Sequence, residues 1–201
     1  MLYCELTGLC IRNGSMAYYP EKIGRKDMIQ SLIEKWITQN SMEIEKKFLV
    51  KKLPDLSKYP KKEISQAYIS VKPVIRVRRS DEKRILTIKS GGLMQREEFE
   101  LFLSEEEYEN LLEKAEGLVI EKTRYLIPEK DGLTIELDVF HGVLDGLIMA
   151  EVEFPSPEAA GSYIPADFFG REVTGDPAYQ NSSMTKMNPA EIAGLIAKSL
   201  S

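Results

Sequence analysis

The chain has 201 residues, a formal net charge of −5 and 29% charged residues, so it is long enough for one ordinary domain with an appendage. The negative balance argues against nonspecific nucleic-acid binding, because affinity for a phosphate backbone requires a basic surplus. Two cysteines, Cys4 and Cys10, indicate no disulfide framework or zinc site, and no apolar stretch is long enough to span a bilayer, so we expect a cytoplasmic protein that binds no membrane.

Residues 1–41 differ in composition from the rest of the chain and are predicted to form an extension with one helix, from Asp27 to Gln39. The apolar residues of that helix recur at helical spacing, which favours a docking surface over a cofactor site. Met42 lies directly before the first charged strand. This placement raises the hypothesis that translation begins at Met42, that residues 1–41 are an appended or misassigned leader, and that residues 42–201 form the functional domain.

Eight strand candidates follow the extension, and polar turns separate most of them. They lie at residues 43–50, 66–71, 74–79, 84–90, 97–103, 121–127, 133–139 and 147–154. Asp131-Gly132 and Asp145-Gly146 indicate tight turns, so we expect antiparallel hairpins.

Two helices are predicted within this strand-rich part. The first, at 105–116, begins after Ser104 with Glu107 completing a capping box, and ends at Gly117. The second runs from Asn188 to Leu200 at the end of the chain.

Charged side chains recur at every second residue of these strands, which places them on one face of each strand. The acidic members are Glu43, Glu45, Glu98, Glu100, Glu136, Asp138, Glu151 and Glu153, and the basic members are Lys47, Arg76, Arg78, Lys89, Lys122 and Arg124. On one strand alone, alternation of this kind is ordinary for a solvated sheet face. Here the two signs segregate by strand, which predicts two facing walls, one for metal ions and one for an anion.

The fold prediction combines these charges with apolar residues on the opposite face, among them Phe48, Val77, Phe99, Leu137 and Val152. Eight antiparallel strands are about the number that closes a small barrel. We therefore predict an α+β fold, mainly antiparallel β, in which an eight-stranded closed β-barrel with flanking helices encloses the charges. A curved open sheet is the alternative.

The ordered set of charged motifs, together with Gln66-Ala67-Tyr68, resembles the CYTH superfamily of triphosphate tunnel metalloenzymes over roughly residues 42–187. The segment Gly170–Pro177 is similar to the tail of the compact bacterial members. The resemblance implies an eight-stranded tunnel that binds a triphosphate in its lumen and hydrolyses or rearranges it with a divalent metal. It also leaves room for a homodimer.

Arginine forks and lysines suit a polyanion, so Arg76, Arg78, Lys89, Lys122 and Arg124 are the candidate phosphate-binding residues, joined by Lys47. Carboxylates near phosphates require hard cations between them, namely Mg²⁺ or Mn²⁺. The candidate metal ligands are Glu43, Glu45, Glu151 and Glu153, with Glu136 and Asp138 for a second ion or for the attacking water. Glu98 and Glu100 are expected to orient basic neighbours.

The resemblance further implies that Lys47 and Tyr68 assist the attacking water, although the acidic neighbours of Lys47 oppose the lowered pKa that a lysine base needs. An ordinary half-buried strand aromatic is the alternative for Tyr68, and His141 is expected to lie at a turn. The predicted activity is a metal-dependent inorganic tripolyphosphatase. Thiamine triphosphatase and a class IV-type adenylate cyclase are alternatives on the same scaffold, and a noncatalytic polyphosphate- or nucleotide-binding module is the alternative of another class.

Overall fold

The structure is a computed structural model that describes residues 44–89 and 99–199 in full. Glu98 and the strands Leu2–Cys4, Leu9–Arg12 and Ser15–Tyr18 are described by their backbone alone. Two compact units are present, residues 1–41 and residues 42–201. Among the described residues, no helix has both the length and the apolar composition needed to cross a membrane.

In the first unit the structure describes three short antiparallel strands, β1 (Leu2–Cys4), β2 (Leu9–Arg12) and β3 (Ser15–Tyr18), in the order β1-β2-β3. The helix predicted from Asp27 to Gln39 lies outside the described residues. The role of residues 1–41 as a separate extension stays a prediction.

The described residues of the second unit form one antiparallel sheet of nine strands in the order β12-β4-β11-β10-β9-β5-β6-β7-β8. In chain order the strands are β4 (Glu45–Val50), β5 (Lys61–Val71), β6 (Val74–Ser80), β7 (Lys83–Lys89), β8 (Glu98–Phe102), β9 (Glu116–Pro128), β10 (Thr134–Phe140), β11 (Ile148–Glu153) and β12 (Phe169–Glu172). All eight predicted strands are confirmed, and β12 was not predicted. Because β12 and β8 are edges of the described sheet, the closed barrel is not confirmed.

Within the described part of this unit, four α-helices flank the sheet: α1 (Glu105–Leu112), α2 (Pro157–Ser162), α3 (Asn181–Met184) and α4 (Pro189–Ser199). The capping box of α1 is confirmed, since Ser104 Oγ accepts a hydrogen bond from the Glu107 backbone and the Glu107 carboxylate accepts one from the Ser104 backbone. A mainly antiparallel sheet with flanking helices is therefore the architecture of this unit.

Gly117 does not end helix α1 as predicted, because the helix stops at Leu112 and Gly117 already belongs to β9. Its φ of +83° lies in the left-handed region, and a Cβ at this position would collide with the carbonyl oxygen of Thr185. That same carbonyl accepts a hydrogen bond of 2.8 Å from the Leu118 backbone. Gly117 therefore allows the C-terminal segment to dock directly on the start of β9.

Apolar residues cover both faces of the sheet at different places. On the face opposite the charges, Phe48, Leu137 and Val152 form a buried cluster, and Val77 packs with Tyr108 of α1 in another. Phe99, which alternates with Glu98 and Glu100 on the edge strand β8, is largely exposed.

The face that carries the charges becomes apolar at one end. Leu49, Ile120, Phe140 and Met149 lie there, and the C-terminal segment with α3 and α4 packs on them. A hydrophobic cluster therefore borders the charged part of this face at one end.

Candidate active site

A cavity of about 510 Å³ lies on the charged face of the sheet. Its lining includes residues from β4, near one end of the strand order, and from β8, at the other end. The sheet therefore curves around the cavity. The predicted site residues that line it are Glu45, Lys47, Tyr68, Arg76, Arg78, Lys89, Glu100, Lys122, Arg124, Glu136, Glu151 and Glu153.

Asp138 is buried and contacts the side chains of Lys122 and Arg124. Glu43 and the side chain of Glu98 lie outside the described residues. The fold thus brings charged side chains from distant parts of the sequence to one cavity, as the period of two predicted. The individual roles of these residues stay predictions.

Arg124 is the centre of a buried ion network. Its Nε and one terminal nitrogen each donate to Asp138 at 2.7 Å, that same nitrogen contacts Glu151 at 2.9 Å, and the other terminal nitrogen contacts Glu136. Burial by itself would lower the pKa of Arg124, but the carboxylates of Asp138 and its neighbours outweigh it and raise the pKa well above its ordinary value. Arg124 is therefore a fixed, permanent cation.

Lys122 shares Asp138 with Arg124. Its Nζ lies 2.5 Å from Asp138 Oδ2, and both side chains are almost fully enclosed. Burial lowers the pKa of Lys122, and the attraction of Asp138 only partly opposes this shift. Asp138 thus holds two basic side chains at the base of the cavity.

Lys47 lies between two carboxylates, with its Nζ 2.9 Å from Glu151 and 3.5 Å from Glu45. Burial would lower its pKa, but these two carboxylates outweigh burial and the pKa is raised. The pKa of Glu151 is lowered, because the cations Lys122, Arg124 and Lys47 overcome the opposite effect of its burial. A lysine with a raised pKa holds its proton at neutral pH, which favours a substrate-binding cation over a general base.

Arg76 and Arg78 on β6, with Gln66 on the adjacent strand β5, form a basic wall of the cavity. This wall carries more hydrogen-bond donors than there are acceptors for them among the described residues. Arg76 donates to Thr87 Oγ1 at 3.2 Å, and Arg78 lies 3.6 Å from Glu100. Even so, Nε of both arginines and Nε2 of Gln66 are buried without a hydrogen-bond partner in the part of the chain that the structure describes. Burial and the neighbouring Arg76 both lower the pKa of Arg78, and the carboxylates of Glu100 and Glu136 only partly oppose this shift.

Two carboxylates, Glu45 and Glu153, are direct partners across the β4–β11 pair and both line the cavity. Lys47 Nζ lies 3.5 Å from Glu45, and carboxylate oxygens are also the ligands that Mg²⁺ and Mn²⁺ take. Within the described ranges, no group of three or more acidic, histidine or cysteine side chains is arranged to hold an ion. The two facing carboxylates could nevertheless hold a hard divalent cation, because Mg²⁺ is usually bound through one or two carboxylates rather than by an all-protein cage.

Tyr68 is buried beside the basic wall. Burial raises its pKa, while Arg76 and Lys89 oppose the shift. Its phenol therefore keeps its proton at neutral pH and can act as a hydrogen-bond donor.

Sequence reasoning gave no role to Gln66, Thr87 or Thr174. Gln66 and Thr174 line the cavity, and Thr87 links Arg76 to Glu100. The period of two offered a signal for Gln66 and Thr87, since each lies two residues from a predicted site residue on its strand.

His141 follows β10 and is exposed, as predicted for a turn residue. Its Nε2 lies 2.7 Å from Thr123 Oγ1, which also donates to Glu63 at 2.7 Å. These three residues do not line the cavity.

Comparisons with known proteins agree on one family. The CYTH domain model matches residues 41–160. An inorganic triphosphatase from Nitrosomonas europaea is 39% identical over 152 residues, covering 73% of this chain and 99% of that protein. An inorganic triphosphatase from Acetivibrio thermocellus is 42% identical over 156 residues, covering 73% of this chain and 94% of that protein. A crystal structure of an inorganic triphosphatase matches with a TM-score of 0.60 at 36% identity, covering 74% of this chain and 97% of that one.

Proposed function

The chain belongs to the CYTH domain family, and we propose that it is a metal-dependent hydrolase whose substrate is inorganic triphosphate. Two relatives that it covers over nearly their whole length carry the name inorganic triphosphatase. The proposal includes the finer prediction that the curved sheet closes around the bound substrate as a tunnel. Action in the cytoplasm and assembly as a homodimer stay predictions.

The observation that carries the proposal is the excess of donors on the basic wall. Arg76, Arg78 and Gln66 have buried nitrogens without acceptors among the described residues, and a buried donor left unpaired costs about 1–3 kcal/mol. A linear polyphosphate supplies many anionic oxygens in one ligand, and arginine forks match phosphate oxygens in pairs. Triphosphate would therefore supply acceptors for these donors within a single ligand.

The acidic residues at the rim fit a divalent cation. Glu45 and Glu153 would hold Mg²⁺ or Mn²⁺, with Glu43 as a further candidate outside the described residues. When bound, the cation would neutralise phosphate charge and polarise the phosphoryl group under attack.

The residues of the chain itself provide positioning and charge stabilisation, which are the main requirements of phosphoryl transfer. In hydrolysis, a water oxygen bonds to the terminal phosphorus, the bridging P–O bond breaks, pyrophosphate leaves with the electron pair and the water proton passes to solvent. Arg76, Arg78 and Lys89 would bind the phosphate chain, and Lys47, Lys122 and Arg124 would stabilise the charge that builds up on the transferred group.

The predicted catalytic set of Lys47, Tyr68 and Asp138 takes different parts in this proposal. Lys47 would contact the substrate as a cation, and Tyr68 would donate its phenolic proton in a hydrogen bond. Asp138 would hold Lys122 and Arg124 in place, because its oxygens already accept hydrogen bonds from both.

An adenylate cyclase or a thiamine triphosphatase must also bind an aromatic ring of its substrate, and the cavity offers little apolar surface for one. Adenine and thiamine rings bind best against apolar and aromatic side chains, and Tyr68 is the single aromatic residue in the described lining. Inorganic triphosphate has no such ring. The charged lining therefore favours it over ATP and thiamine triphosphate.

The test is phosphate release from tripolyphosphate, thiamine triphosphate and ATP, each with Mg²⁺, with Mn²⁺ and with chelator. We expect metal-dependent release that is strongest with tripolyphosphate. Pyrophosphate with cyclic AMP from ATP would instead identify a cyclase, and metal-independent binding without turnover would identify a binding module.

Two adjacent arginines provide a matched control. Arg78 lines the cavity, whereas its neighbour Arg79 is exposed and lies outside that lining. Arg78→Met should lower kcat/KM for tripolyphosphate about 10- to 100-fold through loss of charge-assisted hydrogen bonds, whereas Arg79→Met should change it less than about twofold. Equal effects of the two substitutions would contradict the assignment of the cavity as the active site.

A further inference from the structure

Gln66 is a neutral side chain in the middle of the basic wall, and the catalytic scheme gives it no role. It lies on β5, lines the cavity and is only 2% exposed. Its Nε2 has no hydrogen-bond partner within the described residues. A buried amide normally finds partners for its donors, so this unpaired nitrogen requires an explanation.

The strand register places cations near Gln66, while its own partner on β9 is Ile120. Arg78 is its direct partner on β6, and Arg76 is the partner of Tyr68, two residues along β5. On the other side, Lys122 is the β9 partner of Ile64, which precedes Gln66 by two residues and faces the same way. An anion that binds these cations must therefore lie next to the amide of Gln66.

We propose that Gln66 is a substrate-binding residue that donates a hydrogen bond from Nε2 to a nonbridging oxygen of the polyphosphate chain. This inference rests on the proposed function. The terminal torsion of a glutamine is soft, so the amide can turn toward an incoming oxygen without moving the strand. The phosphate oxygen would then be the acceptor that Nε2 does not find among the described residues.

The chemistry of the position explains why an amide suits it better than a charged group. A further cation here would repel Arg78, whose pKa burial and Arg76 already lower. A carboxylate would pair with Arg78 and repel the substrate. An amide adds a donor without changing the charge of the wall, so it binds phosphate oxygen while leaving both neighbouring arginines available.

Three variants test this assignment. Gln66→Met keeps the approximate volume and removes the donor, and Gln66→Glu keeps the shape but replaces the donor by an anion. Ser65→Ala is the matched control, because Ser65 is the preceding residue on β5 and lies outside the cavity lining. Tripolyphosphate binding is measured by titration calorimetry with chelator present, and kcat and KM are measured with Mg²⁺.

Hydrolysis and binding by the wild-type protein are measured first, and their absence would contradict the proposed function itself. If both are present, Gln66→Met should weaken tripolyphosphate binding and raise KM by about 10- to 100-fold, the usual effect of losing a hydrogen bond to a charged group. Gln66→Glu should weaken binding further, and Ser65→Ala should leave it within about twofold.

Thermal unfolding separates substrate binding from a purely structural role. Removal of an unpaired buried donor should leave the melting temperature of Gln66→Met unchanged or higher, while binding of substrate falls. A lower melting temperature with unchanged affinity and KM would overturn the proposal. Unchanged affinity in Gln66→Glu would overturn it as well.

Discussion

Asp138→Asn should destabilise the protein far more than Glu136→Gln, although both carboxylates lie on β10 and both contact Arg124. Asp138 is buried and is the carboxylate nearest to Lys122, at 2.5 Å. Removing its charge leaves that lysine enclosed without its closest counter-ion, a change that costs about 3–5 kcal/mol. Glu136 is partly solvated, and Arg124 keeps its other two carboxylates without it, so its loss should cost about 1 kcal/mol or less.

Denaturant and thermal unfolding with chelator present would measure both variants. For a protein of this length, about 3–5 kcal/mol corresponds to a fall in melting temperature of about 6–20 °C. The double variant Lys122→Met with Asp138→Asn should recover part of this loss, because it removes the enclosed ammonium along with the carboxylate that paired with it, while Arg124 keeps Glu136 and Glu151. A loss for Asp138→Asn no larger than for Glu136→Gln, or a double variant as unstable as the single one, would refute the reasoning.

The stability of Asp138→Asn should also depend on pH in a direction that unfolding experiments can check. Burial already lowers the pKa of Lys122, and loss of Asp138 would lower it further below the unfolded value of about 10.4. Between the folded and unfolded pKa values the unfolded chain binds more protons, so stability rises with pH there. The deficit of Asp138→Asn relative to wild type should therefore shrink as the pH is raised from 7 toward 10.

Three further predictions concern other parts of the cavity and its support. Glu45→Gln and Glu153→Gln should each raise the Mg²⁺ concentration needed for half-maximal activity by at least about tenfold, since even outer-shell partners change metal affinity by that factor. If a metal titration of either variant gives an unchanged midpoint, the substituted glutamate is not a ligand. Burial raises the pKa of Tyr68, so above about pH 10, the pKa of an unfolded tyrosine, the unfolded chain releases this proton more readily than the folded protein does. The wild-type protein should therefore lose stability as the pH rises above about 10. Unfolding experiments at about pH 7 and about pH 10.5 should show a smaller loss for Tyr68→Phe. Val77→Asp places an unpaired charge at a fully buried position and should therefore yield insoluble protein, or protein that circular dichroism shows to be unfolded. A folded variant would show that this face is open to water.

The period of two predicted which side chains share the cavity face, because alternation along a strand is a local property of the backbone. It could not predict how those side chains pair. Asp138 meets Arg124 because the β9–β10 hairpin places them directly opposite each other, a matter of register rather than of composition. The same cation contacts Glu151 on the next strand but one, and such a contact depends on the curvature of the whole sheet.

The remaining differences have similar causes. Strand β12 was not predicted because Phe169–Glu172 is only four residues long and its pairing with β4 depends on the fold. Gly117 was assigned to a helix end, since glycine is common there, but the sequence does not show that Thr185 would approach its backbone.

The approach of Thr185 to Gly117 has a consequence for how genetic variation in this protein would be interpreted. Any side chain at position 117 must push away the carbonyl of Thr185, three residues beyond Ser182, which lines the cavity. A saturation mutagenesis survey would therefore score position 117 as intolerant, like a residue that touches substrate, although glycine has no side chain with which to act. Ranking positions by intolerance alone would place this backbone contact among the chemical groups of the site.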